Sequence, residues 1–274
     1  MKKASFGKIL CQVFLVIWLV LCLFPLYWLF TFSLKDTDEI FRGNLIGLPT
    51  QWLFSNYAAA WGSGGNIGLF LMNSVIDTAA TLLITSFFGF MCAYGLLRMR
   101  WKGQKAVFTY ILMGMMIPMH AALYPLTITL LPLMKTHWAL IIPYAAFNLP
   151  ITILILSGFI TSIPNEMEEA ACIDGSGIFR TAFTIILPMM IPAISTAAIF
   201  VFLQVWNELL LASVFTTDKV RTLTVGIQQM SGQYQTDYGS MGAALVIATL
   251  PTLILYCCMS SQVQKSLVVG AVKG

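Results

Sequence analysis

The sequence feature that most constrains this fold is the length of its uncharged segments. The first of them, from Ile9 to Leu34, contains no charged residue. The apolar region of a signal peptide covers only about 7 to 15 residues, whereas a helix that crosses a bilayer needs about 20. Charged residues make up 9% of the chain, against roughly 25% in soluble domains. We therefore predict an all-α integral membrane protein.

Polar connections divide the chain into six predicted spanning helices, which form a single transmembrane domain over residues 1–274. Their approximate limits are 9–34, 68–97, 106–134, 138–160, 182–206 and 239–263. The loop between the fourth and fifth spans, residues 161–180, is too polar for the hydrocarbon core and is predicted to form two short helices.

Lysine and arginine are divided unequally between the two sides of this arrangement. Ten of the 15 lie on the side that carries both termini and the 161–180 loop, and five lie on the other. Because cytoplasmic loops carry the excess of basic residues, both termini and this loop are expected in the cytoplasm. The same bias explains the net charge of +4, so we infer no nucleic-acid partner.

The 161–180 loop carries local signals for a helix that docks on another protein. Pro164 suits the first turn of a helix, and the acids Glu166, Glu168 and Glu169 favour its N-terminal end. Gly175 suits the left-handed residue that ends a helix, after which Ser176 can cap a second one. Mostly small side chains recur along one predicted face, at Met167, Ala170, Ala171 and Asp174.

These residues match a known pattern. Glu169-Ala170-Ala171, followed by Gly175 and by Ile185 with Leu187-Pro188, resembles the EAA signature of membrane subunits of binding-protein-dependent ABC importers. Further matches resemble the carbohydrate branch, in particular the shorter, maltose-type permease: Asn56-Tyr57, Asn73-Ser74, Ala93-Tyr94-Gly95, Lys102-Gly103, Pro118, Pro164, Trp206-Asn207 and Gly270 to Gly274. The alternative is a solvated amphipathic loop.

The resemblance implies a coupling helix that lies in a groove of a cytoplasmic ATPase subunit. Its expected contact residues are Glu168, Glu169, Ala170, Ala171, Asp174 and Gly175. Because a standard interface buries about 800 Å² per partner, the Arg98 to Lys105 connection is expected to share the contact.

The resemblance also implies a fixed set of partners in the plasma membrane of a prokaryote. These are a second, longer permease, two ATPase subunits and an extracytoplasmic sugar-binding protein, with lipid around the spans. The chain contains no phosphate-binding Gly-x-x-x-x-Gly-Lys-Ser/Thr loop, so ATP and Mg²⁺ are expected to be used by the partners. No catalytic constellation, bound cofactor or metal site is predicted, and the chain is not expected to be an enzyme.

Candidate residues of the transport pathway lie in and beside the spans. Asp77 departs from the family pattern, and a mid-membrane charge costs about 2.5 to 3.5 kcal/mol. It should therefore face a cavity or a partner, unless it lies at a shallow, solvated depth. Asn207 is the second pathway candidate. Pro188 and Pro192 are expected either to loosen the fifth span for gating or only to shape its packing.

The external stretch from Asn207 to Tyr238 is rich in amides and aromatic rings. Amides can bond sugar hydroxyls and aromatic faces can stack on sugar rings. Gln233, Tyr234 and Gln235 are therefore expected to contact the binding protein, with an ordinary wet loop as the alternative.

Together these features predict a permease subunit that moves a disaccharide or oligosaccharide by alternating access. Glycerol 3-phosphate or another polyol is the alternative within the family. An ion-coupled secondary transporter is a rival of a different class, but it would need inverted repeats and intramembrane carboxylates. A membrane enzyme would need a convergent set of reactive groups, which the sequence does not offer.

Overall fold

A computed structural model describes residues 6–62, 65–232 and 236–271, with the side chains of residues 7–62, 65–232 and 236–259. Within these ranges every regular element is helical. The helices are α1 (Phe6–Phe32), α2 (Thr37–Phe41), α3 (Ser55–Trp61), α4 (Ile67–Leu97), α5 (Gln104–Met113), α6 (Leu123–Thr129), α7 (Trp138–Ile160), α8 (Glu166–Ile173), α9 (Ile178–Thr181), α10 (Leu187–Trp206), α11 (Leu210–Phe215), α12 (Leu223–Gln229) and α13 (Tyr238–Ala271). An all-α membrane fold is therefore confirmed.

Five helical segments among the described residues are long and apolar enough to cross a bilayer: Gly7–Phe32, Ile67–Leu97, Trp138–Ile160, Ile178–Trp206 and Tyr238–Met259. They agree closely with five of the predicted spans. The remaining one, predicted as a continuous helix over 106–134, is broken. Gln104–Met116 and Met119–Thr129 are bent by 88° to each other, because Pro118 between them lacks the N–H that a continuous helix needs.

One compact unit contains residues Met1–Leu69 and Gly226–Pro251. In it α1 is exposed along the length that could span a membrane, and the turn that follows is held by polar contacts. Lys35 is fully buried, and its Nζ donates to the Asn44 carbonyl at 2.6 Å. Burial lowers the pKa of Lys35, partly offset by the charge of Glu39. Asn56 donates to the carbonyls of Ser33 and Lys35, and the Tyr57 hydroxyl is hydrogen-bonded to Ser33 Oγ. Asn56 and Tyr57, one of the pairs that resemble the carbohydrate branch, therefore have structural roles in this turn.

The second unit contains residues Phe70–Val225 and Thr252–Gly274. Its centre is α7, which is buried on most sides, as expected for a helix that is hydrophobic all round. Gly89 of α4 lies against it so closely that a Cβ would stand 2.6 Å from Cγ2 of Thr152. Any larger residue at 89 would push α4 and α7 apart.

Two apolar cores flank α7 at its opposite ends. One packs α4 and α7 against α10 and the turn before it, and includes Phe90, Leu156, Ile160, Ile186 and Met190. The other lies at the start of α7 and includes Leu140, Tyr144, Val205, Leu211 and Phe215. These cores hold the polar groups described below in fixed positions.

The start of the fifth span is irregular. A five-residue π turn, Ala182–Ile186, separates α9 from α10, and Pro188 lies in the first turn of α10. Pro192 follows inside the helix, where Thr196 Oγ1 bonds its carbonyl at 2.9 Å. The π turn, a form that is frequent at functional sites, precedes both prolines. The two roles expected for the prolines, loosening the span for gating or only shaping its packing, stay predictions.

Candidate functional site

The 161–180 loop is organised around α8, whose start follows the acid-led pattern of the sequence. Its N-cap is Asn165, whose carbonyl accepts the backbone N–H groups of Glu168 at 2.9 Å and Glu169 at 3.0 Å. Glu166, Glu168 and Glu169 occupy the first turn, where carboxylates favour the helix dipole. Pro164 was expected within the first turn of this helix. It lies instead two residues before Glu166, where the helix begins.

The end of α8 is a Schellman motif. Gly175 has φ +78°, the left-handed conformation that glycine adopts without strain. The Ser176 N–H bonds the Ala171 carbonyl at 2.9 Å, and the Gly175 N–H bonds that of Cys172 at 3.0 Å, which is the paired pattern of this cap. The prediction that Gly175 is the left-handed residue that ends α8 is confirmed, and its predicted contact with the ATPase stays a prediction. The expected role of Ser176 is wrong, because Gly177 is the N-cap of α9 and Ser176 Oγ instead accepts from Thr181.

One side of α8 is turned into the protein. Ala171 is buried, and Glu168 forms an ion pair with Arg98, with its Oε1 3.1 Å from Arg98 Nε. The Tyr94 hydroxyl donates to Glu168 Oε2 at 3.2 Å. Both partners come from the end of α4, so the start of α8 is attached to the second span.

Arg98 also binds the end of α7. Its Nη2 donates to the carbonyls of Ile160 at 2.7 Å and Ile163 at 2.5 Å, and its Nη1 donates to Asn165 Oδ1. The last carbonyls of a helix have no partner within that helix, and here an arginine supplies one. A single guanidinium group therefore joins the ends of α4 and α7 to the start of α8, and we call this contact set the Arg98 clasp.

The opposite side of α8 and the start of α9 face outward. Ile173 is 86% exposed, and Ile178 and Phe179 are exposed as well. Glu169 and Ala170 are also exposed, whereas the adjacent Ala171 is buried. Of the predicted small-residue face, Met167, Ala170 and Asp174 are exposed, whereas the inclusion of Ala171 is wrong. The outward surface, which we call the outer face of α8, consists of Glu169, Ala170 and Ile173.

A second polar group lies at the opposite end of α4 and α7. Asp77 is 1% exposed, and its Oδ1 lies 2.7 Å from Nδ1 of His137 in the turn before α7. This agrees with the expectation that Asp77 faces a partner and not lipid. Its other carboxylate oxygen, Oδ2, has no hydrogen-bond partner among the described residues.

Near the same end, a buried glutamate follows the fifth span. Glu208 is 9% exposed and accepts the Tyr144 hydroxyl at 2.6 Å. It also accepts the backbone N–H groups of Leu211 at 2.8 Å and Ala212 at 3.0 Å, at the start of α11. Its neighbour Asn207, the predicted pathway residue, is exposed and bonds the Leu203 carbonyl at the end of its own helix.

The segment after α11 is bound to α4 by side chains that the sequence had singled out. Asn73 Nδ2 donates to the carbonyls of Lys219 and Arg221, and Ser74 Oγ accepts the Leu223 N–H at 2.8 Å. These contacts fix the loop between α11 and α12. The predicted binding-protein contacts Gln233, Tyr234 and Gln235 lie outside the described residues.

Sequence reasoning missed three residues that organise these contacts: Arg98, His137 and Glu208. Arg98 was assigned to a basic connection that shares a partner contact, but its side chain is 8% exposed and is bonded within the chain. Glu208 lies two residues after Trp206, where the apolar segment ends. An acid at that point, next to the Trp-Asn pair, was a usable signal for a buried carboxylate.

Comparison with known proteins agrees with this architecture. Residues 85–266 match the family described as binding-protein-dependent transport system inner membrane component. The chain is 37% identical over 276 residues to the probable ABC transporter permease protein YurM of Bacillus subtilis, covering 100% of this chain and 91% of that protein. It is also 37% identical over 261 residues to the diacetylchitobiose uptake system permease protein NgcG of Streptomyces coelicolor, covering 93% of this chain and 86% of that protein.

The fold is also that of a solved transporter. A crystal structure of a bacterial ABC transporter involved in the import of alginate contains a chain that superposes with a TM-score of 0.80 at 20% identity, covering 95% of this chain and 99% of that one. The match of sequence, fold and EAA pattern leads to one assignment. The chain belongs to the family of inner membrane components of binding-protein-dependent transport systems.

Proposed function

We propose that the chain is a permease subunit of an ATP-driven importer, which moves a disaccharide or oligosaccharide delivered by an external binding protein. The observation that carries this proposal is the geometry of α8. The Arg98 clasp attaches its inner side to two spans, while the outer face of α8 exposes an isoleucine beside a small residue. An exposed apolar residue beside an acid, on a helix whose other side is fixed, suits docking to another protein.

The partners follow from the family. Two cytoplasmic ATPase subunits bind ATP and Mg²⁺, and one of them receives the outer face of α8. A second, longer permease completes the membrane part, and an extracytoplasmic sugar-binding protein delivers the cargo. Both termini and the 161–180 loop lie in the cytoplasm of a prokaryote, in agreement with the distribution of lysine and arginine.

The clasp suggests how movement passes from the ATPase to the spans. Because Arg98 bonds Glu168, Ile160 and Ile163 together, a displacement of α8 pulls on the ends of α4 and α7. The π turn at Ala182–Ile186 gives α10 a place to bend while α4 and α7 move. The bundle then alternates between outward-open and inward-open forms, driven by ATP binding and hydrolysis in the partners.

The sugar assignment is supported by a relative that spans nearly the whole chain and is named for diacetylchitobiose uptake. The carbohydrate-type sequence pairs agree with it, and two of them, Asn56-Tyr57 and Asn73-Ser74, have defined structural contacts.

Docking is tested with Ile173→Asp in the complex assembled with its permease and ATPase partners. A charge in the centre of the outer face should reduce co-purification of the ATPase about tenfold or more, because an unpaired charge in an interface is costly. Thr161→Asp is the matched control, since it places the same charge at an exposed position of the same loop.

Function is tested by uptake into proteoliposomes that contain the assembled importer. Sugar uptake should require both ATP and the binding protein, and Ile173→Asp should abolish it while Thr161→Asp retains it. Uptake that proceeds without ATP, or an ATPase that remains bound to the Ile173→Asp complex, would contradict the proposal.

A further inference from the structure

The connection between α1 and α3 carries all of its charge in its first half. The charged residues lie in α2 or within two residues of it: Lys35, Asp36, Asp38, Glu39 and Arg42. From Gly43 to Ile76, which is already inside α4, the chain contains no charged residue. A loop that is surrounded by water has no reason to exclude charge, so the second half of this connection is suited to a less polar environment.

The uncharged half begins with a turn, residues 44–48, whose apolar side chains point away from the rest of the chain. Leu45, Ile46 and Leu48 are all exposed, Ile46 to 59%. Aliphatic side chains that stay in water forgo the free energy of burial, and an exposed group of them marks contact with lipid or with another protein. The surroundings of the turn decide between these two.

Polar contacts hold the turn at its base. Lys35 binds the Asn44 carbonyl, as described above, and Asn44 Nδ2 donates to Glu39 Oε1 at 2.5 Å. The same Glu39 oxygen accepts the Thr50 N–H at 2.8 Å. The charges of Lys35 and Glu39 are therefore used within the chain, and the apolar side chains are presented in a fixed arrangement, which lowers the entropic cost of binding.

The turn lies beside α1 and not beyond its end. The Tyr27 hydroxyl donates to the Ile46 carbonyl at 3.3 Å. Tyr27 precedes Phe32, the last residue of α1, by five residues, or about 7.5 Å along the helix axis, and helix side chains lean further toward the N-terminus. The chain then returns to the end of α1, where the Leu53 N–H bonds the Leu34 carbonyl at 3.0 Å. Between these two contacts the turn reaches back along the span.

Aromatic residues surround the turn at both levels. Tyr27 and Trp28 lie on α1 beside it, and Trp52 and Phe54, on either side of the residue bonded at the end of α1, are exposed. Tryptophan and tyrosine concentrate at the membrane–water interface. The turn therefore lies where headgroups meet acyl chains, the depth of about 5 to 10 Å at which interfacial elements bury their apolar face.

The backbone of the turn is suited to a depth where water is scarce. The carbonyl of Asn44 is bonded to Lys35, that of Ile46 to Tyr27, and that of Leu48 to Asn44 Nδ2. An unbonded backbone group is costly to remove from water. Three of the five carbonyls of the turn already have partners within the protein, which reduces the cost of placing it against lipid.

We propose that the 44–48 turn inserts Leu45, Ile46 and Leu48 into the lipid leaflet at the end of α1, at the boundary between headgroups and acyl chains. Lipid is the partner that this depth supplies, because α1 is exposed along its whole spanning length. The contact gives the first span an attachment to the bilayer outside the helix itself. Because the partner is lipid and not cargo, the test is independent of the proposed function.

The test uses the assembled importer in proteoliposomes of phosphatidylcholine and phosphatidylglycerol, with the six cysteines of the chain and those of its partners replaced by alanine. One cysteine is then introduced and labelled with a fluorophore, as Ile46→Cys or, for a second probe of the turn, Leu48→Cys. Asp38→Cys, at an exposed position of α2, is the control for water, and Ile17→Cys, exposed in the middle of α1, is the control for the bilayer interior. Quenching is measured with iodide in the water and with lipids that carry a nitroxide either high on the acyl chain or near its end.

The labels at 46 and 48 should be quenched by the high nitroxide about threefold more strongly than the label at 38, because interfacial insertion brings them to that depth. Iodide should show the opposite order, and the label at 17 should respond most to the nitroxide near the chain end. Agreement between the labels at 46 and 48 would show that the whole turn is inserted.

Two results would overturn the lipid assignment. If iodide quenches the labels at 46 and 48 as strongly as the label at 38, the turn lies in water. If neither iodide nor a nitroxide reaches them, the turn is covered by protein. Shielding that appears only when the binding protein is added would identify that protein as the occupant, and shielding without it would identify another subunit. Each of these results leaves ATP-driven uptake, and with it the proposed function, untouched.

Discussion

The two ends of α4 and α7 carry polar networks that differ in how well water reaches them. At the end near α8, the Glu168 side chain is 21% exposed as a whole, although its Oε1, which faces Arg98, is itself buried. At the other end, Asp77 is 1% exposed and Glu208 is 9% exposed. A carboxylate that water can reach is rehydrated when its partner is lost, whereas a buried one is left uncompensated. The comparison indicates that the end with α8 can rearrange, while the other end is held in one arrangement.

The largest effect on stability is expected where a buried charge loses the one side-chain partner that it has among the described residues. His137→Leu leaves Asp77 unpaired and should lower the free energy of unfolding by about 3 kcal/mol. Denaturant unfolding in detergent measures it. The double variant Asp77→Leu/His137→Leu should regain most of the loss, because no buried charge remains. If the single and double variants were equally stable, an unpaired Asp77 would cost nothing, and the end of α4 and α7 with Asp77 would not differ from the end near α8 in this respect.

A smaller loss is expected at the Arg98 clasp. Arg98→Ala removes the donor for the carbonyls of Ile160, at the end of α7, and of Ile163, in the turn after it, and removes the ion-pair partner of Glu168. Water can replace part of these contacts, so we expect the free energy of unfolding to fall by about 2 kcal/mol. The neighbouring Arg100→Ala, at an exposed position, should stay within about 0.5 kcal/mol of the wild type. In the assembled complex, Arg98→Ala should also reduce sugar uptake per ATP hydrolysed. An Arg98→Ala protein that unfolds and transports like Arg100→Ala would contradict the role of the clasp.

The same chemical change can be made at both ends. Tyr144→Phe removes the hydroxyl that bonds Glu208 at 2.6 Å in a buried site, and should cost about 1.5 kcal/mol. Tyr94→Phe removes the bond to Glu168 at 3.2 Å, which is only partly buried, and should cost about 0.5 kcal/mol. Unfolding of both variants under one condition gives the comparison directly. A larger loss for Tyr94→Phe would reverse the ranking of the two ends.

The smallest effect on stability is expected from Pro188→Ala. A proline in the first turn of a helix is well tolerated, so the free energy of unfolding should change by less than about 0.5 kcal/mol. If Pro188 and the π turn provide the flexible point of the fifth span, sugar uptake per ATP should fall about twofold. Pro125→Ala, another exposed first-turn proline, in α6, is the control. An unchanged ratio in Pro188→Ala would leave this proline with a packing role alone.

What the sequence predicted well is local in origin. The limits of α8 follow from neighbouring residues, with acids at its start and Gly175 at its end, and the spans follow from uninterrupted hydrophobicity. The partner of Glu168 could not be predicted in this way, because Arg98 lies 70 residues earlier in the chain and meets it only once α4 and α7 have packed. The break in the third span was also missed. Pro118 alone does not distinguish a kinked spanning helix from two short helices at 88°, since neighbouring helices can supply either one with partners.

The π turn between α9 and α10 has a consequence for sequence length. A π turn contains one residue more than the α-helical path it interrupts. Deleting a single residue within Ala182–Ile186 should therefore convert the wide turn into an ordinary one and leave the side chains of α10 pointing in their present directions. The same deletion made in the middle of α10 would rotate everything beyond it by about 100°. This short stretch is thus the place where the fifth span can tolerate a change of register, in evolution or within one transport cycle.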